Sequence, residues 1–134
     1  MEYIKSVNLG VQFMKRLLTS LIAVCSLLAS VASADMQLLM GDEDGCYWCE
    51  KWTDEIGPIY PKTAEGQIAP LLRHDIHDAI PSGIELKSSL HFTPTFVLLK
   101  DGLEVARIEG YPGEDFFWGL LAQMIKTAQV ESQS

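Results

Sequence analysis

Two cysteines separated by two residues, Cys46-Tyr47-Trp48-Cys49, set the tightest bound on what this chain can fold into. They follow an apolar run, Met36 to Met40, that reads as a short buried strand, and a polar loop with two glycines, Gly41 to Gly45. They open a helical pattern that runs to about Ile56, where Gly57-Pro58 and Tyr60-Pro61 kink or end it. A thiol at a helix N-terminus faces unpaired backbone N–H groups and the positive end of the helix dipole, and both stabilise a thiolate. The arrangement reads as a pair that cycles between dithiol and disulfide. Cys46 is the better exposed position and the expected nucleophile. Cys49, one turn inside, is the expected resolving thiol, and the spacing puts both sulfurs on one helix face.

Other uses of the pair fit less well. A purely structural disulfide closing so short a loop removes about 2 kcal/mol of unfolded-state entropy. One CxxC supplies only half of a closed zinc site, and the added candidates, His74 and His77, lie across a strand end. Haem attachment needs His after the second Cys, and Glu50 stands there. Tyr47 and Trp48 give the sulfurs an apolar rim that can dock a partner peptide. Trp52, one turn on from Trp48, suits either the rim or the core. Asp42, Glu43 and Asp44 oppose the helix dipole, because nearby negative charge raises a thiol pKa.

A second signal lies downstream in Phe92-Thr93-Pro94-Thr95-Phe96. A proline there, ahead of a strand and beside the CxxC helix, suggests a cis peptide bond that offers the Thr93 backbone to a substrate strand. Thr93 and Pro94 thus join Tyr47 and Trp48 as docking candidates. His91 reads as a surface histidine.

The remaining pattern gives the architecture. Pro70 to Ile76 reads as a second strand, and Ile84 to Leu90 as a weakly helical or irregular crossing. Thr95 to Leu99 is a strand, Lys100-Asp101-Gly102 a tight turn, and Leu103 to Glu109 an alternating return strand. After Gly110-Tyr111-Pro112-Gly113, apolar residues from Phe116 to Ala128 recur at helical spacing. The order is βαβ then ββα: an α/β fold with a four-stranded mixed sheet and helices on both faces.

The first 34 residues read as a presequence. Met14-Lys15-Arg16 is a charged start, Leu17 to Leu28 is largely apolar, and Ala32-Ser33-Ala34 is a small-x-small cleavage site. A membrane anchor needs roughly 20 apolar residues, more than this run offers. Met14 alone would begin an ordinary signal. Cys25 leaves with it, so the expected mature domain, 35–134, keeps only Cys46 and Cys49. Export points to the periplasm, where thiols are oxidised unless something keeps them reduced. The chain carries 18 acidic against 10 basic residues. Cleavage removes three of the basic and one of the acidic, so the mature domain is more acidic still, which disfavours nucleic acid as a partner. No cofactor or metal is implied.

The CYWC segment, the TPT segment and the hairpin LLKDGLEVARIEG together resemble thioredoxin-like proteins. The resemblance implies a thioredoxin-like fold with Cys46 as nucleophile, Cys49 as resolving thiol and Pro94 as the cis-proline. The chain departs from ordinary thioredoxins in lacking Trp-Cys-Gly-Pro-Cys, in carrying Met40 where a buried Asp is usual, and in lacking the N-terminal strand and helix. DGCYWCEKWTDEIGPIYPKTAEGQIAPL and GYPGEDFFWGLL are similar to the exported, SoxS-type thioredoxins of bacterial sulfur-oxidation clusters. That resemblance implies a reductase for a protein disulfide or persulfide, such as a sulfur-carrier cysteine, fed by a membrane thiol transporter. A reductant for apocytochrome c or for general disulfide repair uses the same chemistry. A metal-binding or chaperone module using the pair as ligands is the alternative of another class.

Overall fold

A computed structural model describes residues 35–131. The expected presequence, with Met14, Cys25 and the expected cleavage site at Ala34, lies outside the described residues. The elements are β1 (Met36–Asp42), α1 (Tyr47–Glu55), a 3-10 turn (Tyr60–Lys62), α2 (Ala64–Ile68), β2 (Leu71–Asp75), β3 (Thr95–Lys100), β4 (Leu103–Glu109) and α3 (Glu114–Glu131). The sheet order is β2-β1-β3-β4, with β1 and β2 parallel and the other neighbours antiparallel. Among the described residues no helix is long and apolar enough to cross a membrane.

Alternation along the strands divides the sheet into two faces. Met36, Leu38 and Met40 of β1, Phe96 and Leu98 of β3 and Ile108 of β4 face the helices. There they bury Trp52 of α1, Ile56 at its C-cap, and Phe117, Leu121, Ile125 and Ala128 of α3. Aromatic rings fill the centre: Trp52 lies 5.3 Å from Phe96 and 5.6 Å from Phe117, centroid to centroid. The other face carries Leu39, Val97 and Leu99, packed against Leu72, Ile84, Leu86 and Leu90. Helices were expected on both faces. The described ones cover one, and the irregular crossing covers the other. Its short run, with charged and serine residues between the leucines, has too few apolar residues at helical spacing to make an amphipathic stripe.

Polar side chains hold that crossing. Buried Glu104 accepts the Lys87 amide at 2.7 Å and the Arg107 guanidinium through both oxygens, at 2.6 and 2.7 Å. Arg107 also donates to the Ser88 carbonyl at 2.9 Å. Burial alone would raise the Glu104 pKa, but the hydrogen bonds from Arg107 and Lys87 outweigh it and hold the carboxyl below its ordinary range. Residues three apart on a regular strand point to opposite faces. Here the β3–β4 register slips between Leu98 and Leu99, so that Glu104 sits opposite Leu99 and Arg107 opposite Val97. Val105 is the extra residue, and the slip is what brings both charges to one face.

Between α1 and β2 the chain makes two tight elements that the prolines hide in the sequence. Thr63 caps α2, accepting from the Gly66 amide at 3.0 Å. Gly66 packs so closely on the 3-10 turn that an added Cβ would lie 1.9 Å from the Tyr60 carbonyl oxygen. The Tyr60 hydroxyl donates to Ala69 at 2.7 Å, closing this corner under α1. At the hairpin, Asp101 and Gly102 both have positive φ, 52° and 80°, the geometry a two-residue primed turn requires.

Candidate active site

The apolar residues of β1 anchor it in the core, so its C-terminal end delivers the Asp42–Gly45 loop to the head of α1. Cys46 is the helix N-cap: its extended backbone turns the chain in, and the Cys49 amide points at its Sγ, 3.1 Å away. The two cysteines form a disulfide in this structure, the oxidised state of the pair. Cys46 is half-buried, whereas Cys49 is only 2% exposed and packs with Trp52 and the core. Trp52 is therefore a core residue. Its indole nitrogen finds no hydrogen-bond partner among the described residues. Tyr47 and Trp48 lie outside, 66% and 49% exposed, with their rings edge to face at 5.2 Å.

The Thr93–Pro94 peptide bond is cis. Pro94 is buried and its carbonyl accepts the Gly110 amide at 2.7 Å, while the Thr95 hydroxyl donates to the Phe92 carbonyl at 2.6 Å. Thr93 is half-buried, and no hydrogen bond among the described residues uses its backbone. Phe92, which carries no signal in a single sequence beyond its neighbour Thr93, projects into solvent at 61% exposure. His91 is exposed.

The acidic loop is largely paired. Asp42 accepts from Arg73, which also reaches Thr53 at 2.9 Å. Glu43 accepts from the Thr93 hydroxyl with one oxygen and meets His77 Nε2 with the other at 3.1 Å. The Thr93 hydrogen bond, then the His77 one, holds the Glu43 carboxyl below its ordinary range. Asp44 stays exposed. The Glu43–Thr93 tie spans fifty residues of sequence, which is why reading the chain locally misses it. His74 is buried on β2 and its Nε2 has no partner among the described residues. His77 is exposed and sits on Glu43 instead. Among the described residues no group of three or more His, Cys, Asp or Glu side chains is arranged to hold a metal ion. Met40, at the position of the usual thioredoxin Asp, is fully buried in the helix-face core.

No protein-family model matches the chain, and no curated protein matches it. Among solved structures it is similar to the periplasmic thioredoxin SoxS from Paracoccus pantotrophus, determined in the reduced form. The two are 49% identical, with a TM-score of 0.68, over 69% of this chain and 98% of that one. With the four-stranded mixed sheet and the CxxC pair at the head of α1, that similarity identifies a periplasmic thiol–disulfide oxidoreductase, and the chain belongs to the SoxS-type thioredoxins.

Proposed function

We propose that the enzyme works as a reductase, with Cys46 as nucleophile and Cys49 as resolving thiol. The observation that carries these roles is the asymmetry of the pair, and the reductive direction rests on the likeness to the SoxS thioredoxin. Cys46 is partly open at the helix N-cap with an amide aimed at its sulfur, and Cys49 is closed off in the core. In the reduced enzyme the Cys46 thiolate attacks one sulfur of a substrate disulfide and expels the other as a thiolate. Cys49 then loses its proton and attacks Cys46 Sγ, which expels the second substrate thiolate. The substrate gains two electrons and two protons, and the enzyme is left with the Cys46–Cys49 disulfide.

Tyr47, Trp48 and the Thr93-Pro94 edge form the docking surface in this reading. An extended substrate segment pairs with the free Thr93 backbone and rests on the two aromatic rings. The substrate is a protein disulfide or persulfide, with a sulfur-carrier protein as the partner the SoxS likeness suggests. The described domain has no third cysteine to relay electrons internally, so they come from another protein, a membrane thiol transporter.

In the reduced protein, Cys46 reacts with iodoacetamide faster than Cys49. Cys46→Ser abolishes disulfide reduction, and Cys49→Ser accumulates mixed disulfides that identify the partner by mass spectrometry. Faster labelling of Cys49 would reverse the roles. Acid-trapped protein from wild-type cells is expected largely reduced, and oxidised once the transporter is deleted. Mostly oxidised protein that forms disulfides in reduced substrates would instead make it an oxidase.

A further inference from the structure

Glu43 joins the two halves of the site in a way that neither the CxxC nor the Thr93-Pro94 segment requires. Its backbone carbonyl accepts the Cys46 amide at 3.3 Å, so its main chain is part of the nucleophile's own turn. Its side chain reaches the other way and accepts from the Thr93 hydroxyl. Both ends of this bracket are themselves fixed. The Glu43 amide donates to Asp42 Oδ1 at 2.9 Å, and Asp42 is held by Arg73. The second Glu43 oxygen is held by His77. The Thr93-Pro94 backbone is held by the Gly110 amide on the Pro94 carbonyl and, across the segment, by the Thr95 hydroxyl on the Phe92 carbonyl. The Thr93 side chain is secured by Glu43.

We infer that Glu43 is a positioning residue that sets the register between Cys46 and the substrate-docking edge at Thr93-Pro94, through its hydrogen bond to the Thr93 hydroxyl rather than through its charge. The inference rests on the docking reading given above. A substrate segment lying on the Thr93 backbone presents its sulfur to Cys46 only if that edge is held at the right place. Thr93 contributes the hydroxyl that reports the edge's position, and Glu43 contributes a fixed acceptor that shares its turn with Cys46. Small disulfides that do not run along the edge have no need of the tie.

Glu43→Gln keeps an acceptor oxygen and removes the charge. Glu43→Ala and Thr93→Val each remove one end of the tie. The reduced enzyme is assayed with insulin as an extended protein disulfide and with 2-hydroxyethyl disulfide as a small neutral one, and melting temperatures check folding. We expect Glu43→Ala and Thr93→Val each to raise KM for insulin about fivefold with kcat held within about twofold, and the double variant to be no worse than either. Glu43→Gln should stay close to wild type, and the small disulfide should be reduced at the wild-type rate by both Glu43 variants. Equal losses in Glu43→Gln and Glu43→Ala, with Thr93→Val silent, would mean that charge acts and would overturn positioning. Trp48→Ala separates the two levels. If it raises KM for insulin while Glu43→Ala and Thr93→Val do not, the positioning role alone is refuted. If it too is silent, the docking surface is refuted and the positioning role with it.

Discussion

The two faces of the sheet are built from alternate residues of the same strands and are held by different forces. On the helix face, Trp52, Tyr60, Phe96, Phe117 and Leu121 interlock with almost no exposure. On the other face the buried apolar residues among those described are Leu39, Val97 and Leu99, under a crossing whose own apolar residues are half-exposed. The first face is closed by shape and apolar area. The second is closed by an ion pair, a carboxylate gripping a backbone amide and a guanidinium gripping backbone carbonyls. The cysteine pair and Thr93 stand where these regimes meet, because α1 belongs to the aromatic face and Thr93 lies between the crossing and β3. The cysteine pair is thus rooted in the aromatic face, whereas the Thr93-Pro94 segment is held by polar ties.

Adjacent leucines of β3 offer the sharpest break of this comparison. Leu98 points to the helices and Leu99 to the crossing, and both are fully buried. Leu98→Ala should cost about 4 kcal/mol in urea unfolding, because interlocked rings cannot collapse into the void. Leu99→Ala should cost less, about 2–3 kcal/mol, because an irregular segment settles more readily. Equal costs would mean that the crossing is as rigid as the helices.

Next in size is Glu104→Gln, at about 2 kcal/mol, since it leaves the largely buried Arg107 with a neutral partner. This effect carries a pH signature. Glu104 titrates below its ordinary value of 4.5, so its contribution is complete above that value and is lost as pH falls through the lower folded one. Wild-type stability should therefore fall more steeply than that of Glu104→Gln as the pH drops below 4.5. Parallel curves would show that the pair does not hold the crossing.

The smallest effect belongs to the helix face's own polar tie. Tyr111 donates to Glu55 at 2.7 Å, and Lys51 also pairs with Glu55. Tyr111→Phe should cost at most about 1 kcal/mol in thermal unfolding, because ring packing against Phe117 remains. A loss as large as that of Glu104→Gln would erase the distinction between the faces.

The same contrast explains what could be read from the chain. Strand β4, the β3 strand and helix α1 were legible to within a residue or two, because their apolar periodicity serves the large core. The cysteine pair was legible because its chemistry lies in four consecutive residues. The 3-10 turn and α2 were hidden by Pro58 and Pro61, which mark an end to α1 but say nothing of a capped turn at Thr63. Helices on both faces were expected from the βαβ-then-ββα order of elements, yet Ile84 to Leu90 never supplies a helical stripe. Alternation along β4 also misplaces Arg107 relative to Glu104, since a one-residue slip in pairing is set by the neighbouring strand. The Glu43–Thr93 tie lay beyond any local reading, because only folding brings the two residues together.

The clamp on the crossing has one more consequence, for association between molecules. β4 is an outer strand, and outer strands carry unpaired amides and carbonyls that invite another chain to add on. Here Glu85 takes that place at the start of β4, accepting the Glu104 amide at 3.0 Å and donating to Gly102 at 2.9 Å, while the Lys87 ammonium covers the Val105 carbonyl. The opposite outer strand, β2, is five residues long and carries Arg73 and Asp75. Loosening the Glu104–Arg107 grip would therefore uncover a strand edge as well as weaken a fold, and acid below pH 4.5 would turn an internal fastening into a template for neighbouring chains.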